Sequence, residues 1–173
     1  AAERAALVAK DGGATLRLVH VISDPVLGSL RRLLEDAPRD VELRLRGKID
    51  RDVARLGEHL AQTFGAPVPA DILTGPLTDG ILGHAAAKSA DLLVLGARGA
   101  SFMRHLMLGS TAERLVRKSD RPLLVVKQPP HERYRRVLVA VDFSPLSLAA
   151  LNLARAVAPH ADREDAPLPR PGR

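Results

Sequence analysis

Residues 91–96, Asp-Leu-Leu-Val-Leu-Gly, decide the fold class. Four apolar residues in succession, Leu92 to Leu95, give this strand no polar face, so both of its faces must be covered. Gly96 ends it. Such a strand belongs to a parallel sheet, whose strands need crossover helices between them. The neighbouring sequence supplies them. Upstream, Gly75-Pro76 turns into a predicted helix over Leu77–Ser89. Downstream, a polar loop leads to a predicted helix over Ser110–Lys118, then to the apolar run Pro122-Leu123-Leu124-Val125-Val126.

The alternation continues toward the start of the chain. Pro67–Thr74 reads as a short strand, placed at an edge by Pro67 and Pro69. Val41, Leu45, Ile49, Val53, Leu56, Leu60 and Phe64 form one apolar stripe of a helix, with Asp40 as N-cap and Gly65 at C′. Residues 26–39 are ambiguous, and the helix they allow runs from Val26 to Leu34 and closes at Pro38. Leu16–Ile22 is a buried strand stopped by Ser23-Asp24-Pro25, and Ala1–Lys10 is a helix with Gly12-Gly13 as its stop. The fold class is α/β: a parallel sheet with helices on both faces and right-handed crossovers.

At 173 residues the chain has the size of one domain, and 46% apolar against 27% charged residues suffice for a packed core. The absence of cysteine excludes disulfides, thiol nucleophiles and thiolate metal sites. No apolar run approaches the ~20 residues of a membrane span and no signal peptide opens the sequence, so no membrane and a cytoplasmic location are expected. The net charge of +6 is carried mostly by arginine, but aromatics are only 2%, too few for a base-stacking surface. The charge reads as a solvated surface, with a nucleic-acid partner the weaker alternative.

In an open parallel sheet, ligands bind beyond the carboxyl ends of the strands. The loop after Leu95 is therefore the candidate site. Gly96 and Gly99 let backbone N–H groups approach a ligand closely. Ser110 opens a helix and forms a capping-box pattern with Glu113. A helix N-terminus offers free N–H donors at the positive end of its dipole, which suits a phosphate. Gly-Lys-Ser/Thr and G-x-G-x-x-G are both absent, so this is neither a P-loop nor the dinucleotide fingerprint. Taken alone, the same residues serve equally well as turn glycines and a simple helix cap.

The spacing G-x2-G-x9-G-[ST], here Gly96, Gly99, Gly109 and Ser110, resembles that of the nucleotide-binding branch of the universal stress protein family. Val19-His20-Val21 resembles that family's second strand, Gly75-Pro76 the turn after its third, and Pro122–Val126 its fifth. Val137–Ser144, VLVAVDFS, looks like its first strand and the aspartate that follows. The resemblance covers residues 1 to about 158. It implies a five-stranded, Rossmann-like parallel sheet of order 3-2-1-4-5 with ATP at the switch point. By position, Asp142 would lie on the adenine side and Val21 at its backbone-read edge. Leu95, Gly96 and Gly99 would line the ribose and phosphates, while Gly109, Ser110 and Thr111 would hold the β- and γ-phosphates by backbone N–H and hydroxyl. Mg²⁺ is a compatible companion of the phosphates, because it needs few protein ligands. Arg98 and Arg104 are suited to phosphate by charge alone, with a surface role the simpler reading.

The expected function is an ATP-binding stress-response or signalling module. A slow ATP hydrolase is the alternative, although no nucleophile–base pair and no paired carboxylates at strand ends are visible. None of the six histidines has metal-ligand spacing; His20 reads as a buried structural histidine, and His105 lies in the glycine loop.

Residues 1–126 read as one module without its first strand, 127–136 as a polar, proline-bearing linker, and 159–173 as a disordered tail. Between linker and tail, Val137–Val141 is a strand and Leu146–Ala158 a helix. At an offset of 149 this second helix repeats the first: Ala1, Ala5, Val8 and Ala9 match Ala150, Ala154, Val157 and Ala158. Val137–Val141 is expected to fill the middle slot of the sheet, in its own chain or in a partner's, with exchange of Val137–Ala158 preferred. Ten linker residues reach about 33 Å, so self-completion is within range. A homodimer is also expected through the apolar edge strand Pro122–Val126, with Val125 and Val126 central.

Overall fold

The computed structural model describes residues 1–24, 38–97, 109–128 and 132–161. The expected helix at Val26–Leu34 and the tail from 162 onward lie outside them. The elements are α1 (Ala2–Gly12), β1 (Leu18–Ser23), α2 (Pro38–Phe64), β2 (Ala70–Gly75), α3 (Leu77–Ala87), β3 (Leu93–Gly96), α4 (Ser110–Lys118), β4 (Leu123–Val126) and α5 (Pro145–Val157). The class is α/β.

The helix stops are the glycines the sequence offers. Gly13 takes φ 64°, a left-handed conformation open to glycine, and the N–H of Ala14 returns to the carbonyl of Ala9 at 2.9 Å. Gly65 ends α2 in the same way, at φ 84°, with its N–H on Ala61 O at 2.7 Å. The start of α2 differs from expectation. It begins at Pro38, so Asp40 lies inside the helix and is not its N-cap. A proline fits the first turn of a helix, where its missing N–H would have no partner anyway.

Four strands form two parallel pairs, β1 with β2 and β3 with β4. Val19 lies opposite Asp71 and Val21 opposite Leu73; Leu95 lies opposite Val125 and Gly96 opposite Val126. Helices link the two pairs. Helix α3, the crossover from β2 to β3, packs on β1 as well as on β2 and touches α4. Helix α1, which leads into β1, packs on α2 and reaches β3. Among the described residues β1 has β2 as its one strand partner and β3 has β4.

The core begins where α1 meets α2. Ala6 and Leu60 are fully buried, with Val68 beside them and Leu16, Leu18 and Phe64 packed around. Alanine on α1 permits this close approach. Helix α3 comes near enough to β1 that a Cβ on Gly80 would meet Val21 Cγ1 at 3.4 Å. That contact buries Val21 and leaves the first half of the strand open, so Val19 and His20 are exposed. His20 is thus not the buried histidine expected; among the described residues no strand but β2 pairs with β1.

Val137–Val141 stands apart from both pairs. The segment joins neither pair, and Leu138 is 98% exposed. It does not form the middle strand of this chain's own sheet. Just upstream, the chain is tied to α1. Arg4 donates to Glu132 O at 2.8 Å and stacks on the Tyr134 ring at 4.0 Å, and Arg133 pairs with Asp11 at 3.0 Å. Helix α5 then packs on α1, with Ala156 O 3.6 Å from where a Cβ of Gly12 would stand. The two helices that repeat one another in sequence lie against one another.

Candidate functional site

The carboxyl end of β3 and the N-terminus of α4 meet through two backbone bonds. Ala97 N–H donates to Val126 O and Gly109 N–H donates to Ala97 O, both at 2.9 Å. Gly96, Gly109, Ser110 and Thr111 are thereby gathered at one end of the β3–β4 pair. Leu95 sits half-buried on β3 just before them, and Val21 lies near the matching end of β1. Gly99, Arg98, Arg104 and His105 lie outside the described residues.

The helix start differs from the expected capping box. Gly109, at φ −59° and ψ 146°, is the N-cap of α4, and no side chain caps it. Glu113 gives its N–H to Gly109 O at 3.0 Å, closing the first turn, but its carboxylate pairs forward with Arg117 at 2.7 Å. A carboxylate paired at i+4 cannot also reach back. Ser110 and Thr111 therefore start the helix with backbone N–H groups that no capping side chain occupies, at the positive end of the dipole. The Gly109 N–H, expected to be a phosphate donor, is engaged by Ala97. What Gly109 contributes here is closure of the loop.

Asp142 stands apart from this cluster. It lies in the exposed turn before α5, where Ser144 N–H donates to its Oδ1 at 2.9 Å and Phe143 takes φ 64°. Ser144 caps α5: its Oγ accepts the Ser147 N–H at 3.2 Å, and Pro145 occupies the first turn. The hydroxyl and N–H of Ser144, with help from Ser147, hold the Asp142 carboxyl down to about 2. Its hydrogen bonds are to its own turn. Within one chain, the structure does not bring Asp142 onto the glycine loop.

One polar cluster was not foreseen. Arg17 NH1 lies 2.7 Å from Asp71 Oδ2, and His84 Nε2 lies 3.0 Å from the same oxygen. The Arg17 hydrogen bond, opposed by some burial and aided by the Arg17 charge and by His84, lowers the Asp71 carboxyl below its ordinary value. An ionised carboxylate only accepts, so His84 Nε2 carries the proton in this pair. The cluster fastens α3 to β2 at the end of the sheet opposite the glycines. It is a clamp, remote from the candidate site.

Comparison with known proteins decides the relationship. Residues 1–127 match the model of the universal stress protein family. The chain belongs to that family. This universal stress protein is 28% identical over 133 residues to the universal stress protein MJ0531 of Methanocaldococcus jannaschii, covering 76% of each chain. It is 33% identical over 131 residues to a universal stress protein of Thermus aquaticus, covering 73% of this chain and 90% of that one. Against the universal stress protein Slr1230 of Synechocystis, the match spans 34% of the relative's length. Among solved structures it resembles that of the hypothetical protein PH0823, with a TM-score of 0.55 at 28% identity over 75% of this chain and 89% of the other. A universal stress protein solved in complex with cAMP shares the fold, with a TM-score of 0.52 at 21% identity over 73% and 84%. No helix among the described residues is long and apolar enough to cross a membrane.

Proposed function

We propose that this universal stress protein binds an adenine nucleotide, ATP, at the carboxyl end of β3 and acts as a nucleotide-dependent stress-response module. One observation carries the reading. The closure of Gly109 onto Ala97 sets an uncapped helix start beside the end of a parallel strand, where a phosphate finds donors and a positive dipole. Ser110 and Thr111 hold the terminal phosphates, Gly96 and Gly99 give the chain close approach, and Leu95 and Val21 line the nucleoside end. Mg²⁺ rides on the phosphates. A family member solved with cAMP supports the adenine-nucleotide class.

The same proposal takes the two strand pairs as the outer parts of a sheet of order 3-2-1-4-5. The chain then divides into a module over 1–126, a linker over 127–136 and the start of a second repeat over 137–158. The outer edge of β4, around Val125 and Val126, is a dimer edge.

Equilibrium dialysis against ATP, followed by release and chromatography of the bound nucleotide, tests the site. Stoichiometric adenine nucleotide is the expected result. No binding at millimolar ATP overturns it.

A further inference from the structure

Helix α1 is held from two opposite sides. Its inner side is made of alanines: Ala5, Ala6 and Ala9 are buried, and Ala6 packs with Leu60 of α2. Each alanine buries one methyl, a small apolar area by which to attach a helix of 11 residues. Arg4 and Asp11 lie seven residues apart, close to two helical turns, so they share the face turned away from those alanines. Residues 132–134 are fastened to that face. Arg4 donates to Glu132 O at 2.8 Å, and its guanidinium lies 4.0 Å from the centroid of the Tyr134 ring. Arg133 Nε lies 3.0 Å from Asp11 Oδ1. Helix α5 then packs at the same end of α1, beside Gly12.

Asp11 is the residue out of place. It sits in the last turn of α1, where the negative end of the helix dipole repels a carboxylate, and its side chain is only 9% exposed. A carboxylate taken out of water needs a cation. The neighbouring Lys10 is engaged elsewhere, its Nζ donating to Thr63 O of α2 at 3.1 Å. Among the described residues the cation on Asp11 is Arg133, whose own side chain is 54% exposed. Helix α1 thus carries an acid that suits it only while residues 132–134 are docked.

We propose that Asp11 and Arg133 form the pin of a clasp, by which the arm of residues 132–157 keeps α1 shut on α2. When the arm lifts, α1 and α5 open as one unit while the strands and α3 stay folded. The clasp is a conformational device of the fold, independent of what the glycine end binds. Helix α1 packs on β3 and shares its core cluster with Leu18 of β1, so its opening bares part of both strand pairs without unfolding either.

Hydrogen exchange of the full chain, followed by mass spectrometry on α1, α5, β2 and α3, tests the clasp. Arg133→Ala should speed exchange in α1 and α5 together by about tenfold or more, the factor for one lost charge-assisted hydrogen bond. Exchange in β2 and α3 should not change. Arg133→Lys keeps the charge and should speed both helices less. Adding Asp11→Asn to Arg133→Ala should return part of the protection of α1, because the acid that needed the arm is gone. Arg135→Ala is the control, since Arg135 pairs with Glu132 of its own segment, and it should move neither helix. An Arg133→Ala chain that exchanges like the wild type overturns the proposal. Faster exchange in α5 alone does so too, because α1 then stands without the arm. Exchange that rises equally in β2 and α3 shows that α1 is no separable unit. Strictly additive effects in the double variant, or an equal response to Arg135→Ala, remove the Asp11–Arg133 pair as the pin.

Discussion

The backbone N–H of Gly109 donates to the carbonyl of Ala97 at 2.9 Å, so the residue after β3 and the residue before α4 meet at one point. That point is also where α4 begins with no side chain capping it. Gly109 has an ordinary negative φ, and a side chain there is not strained by the backbone. Gly109→Val should therefore leave the fold intact while standing a branched side chain in front of the Ser110 and Thr111 donors. Two charge-assisted hydrogen bonds lost are about 3 kcal/mol, or roughly a hundredfold in ATP affinity. Calorimetric titration beside an unchanged circular dichroism spectrum checks this.

Asp142 carries a pH signature. Its carboxyl titrates near about 2 because Ser144 hydrogen-bonds the ionised form. A folded value below the unfolded one means that the stabilisation is present above the unfolded value, near 3.8, and fades as the pH falls through about 2. Ser144→Ala should raise the Asp142 midpoint toward 3.8 in a carboxyl-detected NMR titration. The same change removes the α5 cap, at about 1 kcal/mol.

Arg17 should set the titration of Asp71, being the first cause of its lowered value. Arg17→Ala is expected to move the Asp71 midpoint upward, and Arg17→Lys to move it less because the charge is kept. The stabilisation from ionised Asp71 is lost on acidification in the wild type, and the Ala variant should show a flatter loss. Melting curves from pH 7 down to the acid limit of folding measure the difference.

Leu60 is fully buried between α1 and α2, whereas Leu43 on the same helix is 67% exposed. Leu60→Ala should destabilise by about 3 kcal/mol, through lost transfer energy and the cavity left behind. Leu43→Ala should stay within about 0.5 kcal/mol. Urea unfolding of the two variants separates them.

The sequence was most legible where one physical signal settles one element. The apolar run Leu92–Leu95 falls on β3 (Leu93–Gly96), the 3.6-residue stripe from Val41 to Phe64 falls on α2, and Gly65 takes the positive φ that ends it. Legibility fails where the outcome depends on a competing partner. Ser110 and Glu113 have capping-box spacing, but Arg117 at i+4 takes the carboxylate. Val137–Val141 has the composition of a buried strand, and composition does not say whether a partner edge is at hand; the segment joins neither pair. His20 sits in an apolar strand and is nevertheless exposed. Arg17, Asp71 and His84 meet only because the parallel register sets Asp71 opposite Val19, a relation no local pattern encodes. For the candidate site, the glycine spacing located the loop ends, while the use of the Gly109 N–H depended on where Ala97 came to rest.

The stacking of Arg4 on Tyr134 has a spectroscopic consequence. The chain contains one tyrosine and no tryptophan, so its intrinsic ultraviolet emission comes from a single ring, and that ring lies under a guanidinium on the surface of α1. Lifting residues 132–134 off α1 must change the environment of this one fluorophore. Seating of the linker can be followed in real time in the unlabelled wild-type protein, with Arg4→Ala supplying the spectrum of the released ring.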